Sequence, residues 1–315
     1  MVFDPVESQV ILFGGRAQGL FGEKYFNDLW VLDSDTKTWT SLKTSDPPAP
    51  RLSPGMVYDP VYHQIILFGG LSKHGRLGDT WVYAISENQW LEVSPRTSPS
   101  PRSDTGMVYD ELNQVVELFG GYCQEEDRDL CDDTWSYDPK SNTWTEMKPL
   151  SLPPIMYGFS LDYDATSYQS ILWGGHLSTF EHGNIVSAGY GDNIWIYEYP
   201  QDAWREIVGN DKPPARYWHQ ASFITPTGKL LIFGGDGGRS YLNDTWLYDN
   251  RHNTWERVNP VQAPAPRVNA TMTYDSANNV IILFGGLGED RVDLQDTWIF
   301  DVSGSEGEWR KIASP

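Results

Sequence analysis

The chain has 315 residues, 39% of them apolar, enough for a sizeable core and too many for a disordered chain despite 29 Gly and 21 Pro. With 43 acidic residues against 23 basic ones, the formal charge is −20. That charge disfavours nucleic acid and anionic membranes as partners, and leaves a basic protein or peptide, or a metal cation, as the electrostatically easy ones.

The opening segment, MVFDPVESQVILFGG, has no basic n-region and reads as folded-domain sequence. No run approaches the roughly 18 apolar residues of a membrane span. The expectation is a cytoplasmic monomer without a membrane segment, with secretion open if residues precede Met1.

That segment also carries the first of six Gly pairs, which begin at Gly14, Gly69, Gly120, Gly174, Gly234 and Gly285. Each pair ends a short apolar run and is followed by two tryptophans. Unit 1 (1–45) holds Trp30 and Trp39, and unit 2 (46–96) holds Trp81 and Trp90. Unit 2 shows four strand-like runs most cleanly: GMVYD, QIILFGG, DTWVYA and QWLEV, here called a, b, c and d. Unit 3 (97–150) repeats them around Trp135 and Trp144, and inserts the loop YCQEEDRDLCDD. Unit 4 (151–210), with Trp195 and Trp204, has the longest b–c loop, His176 to Asp192. Unit 5 (211–261), with Trp246 and Trp255, enters strand a through RYWHQ. Unit 6 (262–315) ends the series with Trp298 and Trp309. No unit contains a convincing helix.

Four-stranded units of this size cannot cover their own apolar faces, but radial stacking does so. Continuous apolar runs such as Ile65 to Phe68 fit a strand sandwiched between neighbouring sheets. The fold class is therefore all-β: a six-bladed propeller with four antiparallel strands per blade. The twelve repeated tryptophans read as filler of the widening space between blades. An Asp two residues before the first Trp (Asp28, Asp79, Asp133, Asp244, Asp296; Asn193 in unit 4) reads as an acceptor of backbone hydrogen bonds at the start of strand c. Arg51, Arg102, Arg216 and Arg267 recur just before strand a, where unit 4 has Met156. They either pair with a neighbouring blade or point into the channel, where four guanidinium groups would suit an anion.

The strand ending in Gly-Gly, the aromatic strand c and the Trp opening strand d resemble the kelch family over essentially the whole chain. The Pro-x-Pro-Arg-like segments resemble the longer variant of the repeat, similar to the central domain of galactose-oxidase-type proteins. The resemblance implies one blade per repeat and commonly a protein-binding role, although propellers carry unrelated functions. Each blade here starts with strand a and ends with strand d. Closure by strand exchange is therefore not expected: either side-chain packing between blades 6 and 1 closes the ring, or further residues precede Met1.

The a–b and c–d turns share one face of such a disc and are short. The b–c and d–a loops share the other and vary, as recognition loops on a regular frame do. The candidate binding residues on that face are Arg51, Arg102, Tyr122, Tyr157, His176, Phe180, His182, Tyr190, Arg216, Tyr217, Trp218, His219, Arg267 and Asn269. Trp218 lies outside the repeat template, and its aromatic neighbours read either as a recognition hot spot or as packing under the unit 4 loop. Cys123 and Cys131 either close a loop disulfide or remain thiols. The acidic loop around them lacks calcium-loop spacing.

An enzyme finds less support in the residues. Copper oxidase chemistry needs two histidines, two tyrosines and a cysteine crosslinked to one tyrosine, and the two cysteines here share one loop. A Glu-x3-Asp-x3-His iron motif, sialidase Asp boxes and an ordered Ser-His-Asp set are also missing. The expectation is a binding scaffold for a protein or peptide, with no catalytic residue, cofactor or metal. The alternative is an enzyme with an axial or loop-lined active site, with or without a metal.

Overall fold

The structure, a computed structural model, describes residues 1–19, 22–124, 129–181, 184–209, 211–302 and 307–312. Among the described residues six antiparallel sheets with strands in the order a, b, c, d follow one another along the chain, and a short pairing of Arg267–Val268 with Leu287–Gly288 accompanies the last. In blade 2 these are Gly55–Asp59, Gln64–Ser72, Gly75–Ala84 and Gln89–Val93. In blade 4 they are Met156–Asp164, Gln169–Glu181, Ile194–Glu198 and Ala203–Ile207, and an extra strand, Asn184–Tyr190, pairs with the long second one. The helical content among the described residues is two 3-10 turns, Ile85–Glu87 and Tyr199–Gln201.

The a strands of neighbouring blades touch in sequence and return to the first, so they line the axis. The b strands are buried on both faces, as their unbroken apolar runs require: Ile65 to Phe68 are all 0% exposed. Four of the six Gly pairs sit in a register shift between strands b and c, at Phe13/Gly15, Phe68/Gly70, Phe119/Gly121 and Phe233/Gly235. Gly69 shows why the first residue of the pair is glycine. Its φ is +64°, and a Cβ there would lie 2.5 Å from the carbonyl oxygen of Arg102 in the next blade.

Blades are joined by a bond that the repeat encodes twice. The strand d indole Nε1 donates to the threonine before the strand c Trp of the preceding blade: Trp144 to Thr80 (3.1 Å), Trp204 to Thr134 (2.9 Å) and Trp309 to Thr245 (2.9 Å). The seam uses the same device, since Trp39 of blade 1 donates to Thr297 of blade 6 (3.0 Å). Phe3, Val10, Leu32 and Trp39 also pack with Val280, Ile282 and Ile299 there. Among the described residues no strand is exchanged, and side chains close the ring. Blade 1 has Leu29 in the threonine position, and the Trp90 indole N–H of blade 2 is accordingly buried without a partner. The strand c tryptophans play a smaller part in the wedge, because all but Trp298 are only partly buried.

Candidate binding face

The repeated arginines do not belong to an open site. Arg51, Arg102, Arg216 and Arg267 are 0–1% exposed. Arg51 donates through Nη1 and Nη2 to the two carboxylate oxygens of Asp79 (2.7 and 2.8 Å), through Nη1 to the Gly69 carbonyl (2.8 Å), and through Nε to the Ala49 carbonyl (2.9 Å). Arg102 does the same with Asp133, Arg216 with Asp244, and Arg267 with Asp296. The same aspartates accept from the strand c indoles Trp81, Trp135, Trp246 and Trp298. This corrects two expectations. The guanidinium groups are used up within their own blades and face no anion, and the repeated Asp serves chiefly side chains. Burial opposes ionisation of these carboxylates, but the arginine bonds and charge outweigh it and hold all four below the usual range. Blade 4 has lost both partners together, with Met156 for Arg and Asn193 for Asp.

Two residues beyond each arginine, the chain turns left-handed at the axis. Ser53, Asp104, Trp218 and Asn269 have φ of 48°, 54°, 53° and 52°, and Gly158 holds this place in blade 4 with φ 66°. Backbone bonds run around this ring: Asp104 N to Ser53 O (3.1 Å), Trp218 N to Gly158 O (2.6 Å), and Asn269 N to Trp218 O (3.1 Å). Gly, Asn and Asp tolerate this conformation; a bulky aromatic does so at a cost of about 1–2 kcal/mol. The Trp218 ring covers Gly158, where a Cβ would meet its Cδ1 at 2.7 Å. The turn geometry therefore does not account for a Trp in this column.

Around Trp218 the predicted aromatics converge into one half-buried patch across blades 3 to 5. Tyr157 and His176 are cross-strand partners, and their rings stack at 4.8 Å and 18°. Tyr122 adjoins Tyr157 at 4.8 Å. Tyr190 ends the extra strand opposite His176, and stacks on Tyr217 at 5.3 Å and 7°. Tyr217 meets Trp218 at 4.5 Å. Burial, and then the nearby Asp236 carboxylate, push the Tyr217 hydroxyl well above its ordinary range, so it stays neutral. Burial lowers the His176 pKa, and its Nε2 lies 3.2 Å from Ser187 Oγ.

Two contributors escaped sequence reasoning. Asp236 bridges Tyr217 through backbone bonds, and its Oδ1 accepts from Gly238 N at 2.7 Å. Arg76 of blade 2 lies over the Tyr122 ring at 5.4 Å, with Nη1 3.8 Å from Asp129. Asp236, unlike Arg76, has a signal in the sequence: the residue after each Gly pair is Arg16, Leu71, Tyr122, His176, Asp236 or Leu287. That column turns aromatic or polar in blades 3 to 5.

The other predicted residues are placed differently. Asn269 is exposed one blade beyond Trp218. Phe180 lies in the projecting hairpin, paired through its backbone with Ile185. His182 falls outside the described residues. His219 is not a surface residue: it is 3% exposed, its Nε2 is 3.0 Å from Ser160 Oγ, and its ring meets Trp173 edge-on at 4.8 Å. Burial, and then the Arg216 charge, lower its pKa to about 3, so it is a neutral core histidine. Cys123 and Cys131 form a disulfide, which resolves the alternative left open by the sequence. Most of the acidic loop that they close lies outside the described residues. Among the described residues no helix is long and apolar enough to cross a membrane.

A closed circle of four-stranded blades, carrying an aromatic patch on its variable-loop face, defines a β-propeller of the kelch class. The family model described as the KLHDC2/KLHL20/DRC7 Kelch-repeats domain matches residues 1–162 and 163–315, and the chain belongs to this kelch-repeat family. It is similar to the F-box/kelch-repeat protein At1g51550 of Arabidopsis thaliana, 33% identical over 75% of this chain and 50% of that protein. Kelch domain-containing protein 3 of Homo sapiens is 25% identical over 98% of this chain and 85% of its own length. Mei4-dependent protein 6 of Schizosaccharomyces pombe is 21% identical over 96% of this chain and 47% of its own. The chain thus spans about half the length of two of these relatives. Kelch propellers are commonly protein-interaction scaffolds.

Proposed function

We propose that this protein is a non-catalytic binding scaffold which holds a protein or peptide partner on the face formed by the b–c and d–a loops. The patch of Tyr122, Tyr157, His176, Tyr190, Tyr217 and Trp218 is its contact surface. The observation that carries this reading is Trp218. Its left-handed backbone is costly for a bulky residue, and it stands in a column of Ser, Asp, Gly and Asn. Half-buried aromatics supply large contact area at low entropic cost, as interface hot spots do.

The test uses the residue that the ring itself prefers. Trp218→Asn removes the aromatic face and suits the left-handed backbone. Binding of a partner captured by the intact chain falls at least about tenfold, while the melting temperature holds or rises. A fall in melting temperature of many degrees, with binding retained, would mean that Trp218 is packing and would sink the reading.

A further inference from the structure

The patch combines two chemistries beside each other. The parallel Tyr190 and Tyr217 rings, 5.3 Å apart, offer aromatic surface. Asp236 stands next to Tyr217, joined by the backbone bonds Tyr217 N to Asp236 O (3.2 Å) and Asp236 N to Tyr217 O (2.8 Å). A carboxylate has about four acceptor directions. The Gly238 backbone N takes one at Asp236 and the Tyr217 hydroxyl another, while Tyr157 and His176 lie within reach of its charge. Acceptor capacity therefore remains beside an aromatic surface. That is the pairing which recognises a guanidinium group: the plane lies on the ring while the edge donates to the carboxylate.

The molecule already contains one example of this pairing. On the far side of the same patch, the Arg76 guanidinium lies over Tyr122 at 5.4 Å with the Asp129 carboxylate 3.8 Å away. The blade 5 half repeats the ring and the carboxylate. The chain's formal charge of −20 adds a long-range pull on a cationic segment.

We propose that the blade 4–5 half of the patch reads an arginine in the partner, with the guanidinium against Tyr217 and Tyr190 and Asp236 as its acceptor. This rests on the patch being the contact surface, and it names the chemistry of the partner there: a protein segment bearing an exposed arginine. Arginine is preferred to lysine because only a planar cation stacks on a ring and donates sideways at once.

The experiment is selection of a random dodecapeptide library on the full chain, followed by affinity measurement of the best peptide. Enriched peptides carry arginine, and replacing that arginine with citrulline, an uncharged isostere, weakens binding by about tenfold. Asp236→Asn weakens the arginine peptide by a similar factor and leaves the citrulline peptide unchanged. Arg239→Ala, which removes the exposed cation of the same loop, leaves the arginine peptide bound as well or better. Peptides that lose binding with Tyr217→Ala yet carry no arginine, or are indifferent to Asp236→Asn, overturn the arginine assignment and leave the contact surface standing. Peptides indifferent to both Tyr217→Ala and Trp218→Asn, or a library that yields no binder, overturn both. Loss of binding with Arg239→Ala points instead to an anionic partner and overturns the assignment.

Discussion

Arg51 has one carboxylate partner, and Asp79→Asn removes it while leaving the guanidinium buried. Breaking such a pair from one side costs about 3–5 kcal/mol, because the remaining charge is uncompensated. Blade 4 shows the tolerated exit, with Met156 and Asn193 standing in the two positions. Arg51→Met combined with Asp79→Asn is therefore expected to recover most of the loss in denaturant titrations, and additive costs would contradict a mutual lock. Two other buried groups set opposite pH responses. His219 has a folded pKa of about 3 against 6.5 unfolded, so the unfolded chain binds the extra proton between these values. Its contribution is whole above about pH 6.5 and is lost as pH falls toward 3. Glu117, buried beside Ser170 and Asp110, is raised by burial first to about 8 from 4.5. Its contribution is present below 4.5 and is lost as pH rises through 8. Glu117→Gln should raise the melting temperature at about pH 8.5 and change it little at about pH 5, and an equal effect at both would remove Glu117 from the alkaline limb. His219→Leu should flatten the slope between about pH 6 and pH 4, and an unaltered slope would assign it to other groups.

The elements that matter most are the a strands and the seam. Strand a of blade 1 pairs at three positions, Val2 to Asp4, whereas that of blade 2 pairs at five. The seam relies on packing and on the Trp39–Thr297 bond. Thr297→Val keeps the shape and deletes the acceptor, at an expected cost of about 1–2 kcal/mol. Amide exchange should then quicken first in Val2–Asp4 and Thr297–Asp301, and uniform quickening across all blades would show that the seam is no weaker than the rest. The strands themselves were legible from the apolar runs, the Gly pairs and the Trp spacing. The joints were not. Nothing in one repeat says that its Trp meets a threonine of the previous repeat, since the bond spans 64 residues for Trp144 and Thr80.

For the whole molecule, the consequence is a repeating disc whose departures from the repeat are concentrated in one sector. Blades 2, 3, 5 and 6 share the arginine lock, so variation is confined to what the lock leaves outside. The net negative charge acts at this scale. If the partner segment is cationic, its association rate should fall steeply between about 0.05 M and about 0.5 M salt, with dissociation changing less. A rate independent of salt would remove long-range charge from the recognition step.

Sequence alone determined the six units, the four strands in each, the phase of the chain around the ring and the face that varies. These follow from local periodicity and from repetition, which one chain displays in full. It also placed Tyr157, His176, Tyr190, Tyr217 and Trp218 in one sector, because they depart from the template there. Tertiary structure decided which polar groups were free. For four arginines and His219 the sequence left burial and exposure open, because a side chain's accessibility depends on partners 18 to 59 residues away. Asp236 and Arg76 looked ordinary for the same reason. Asp236 meets Tyr217 across its own blade and Arg76 meets Tyr122 of the next blade, contacts that exist only once the sheets have formed and packed.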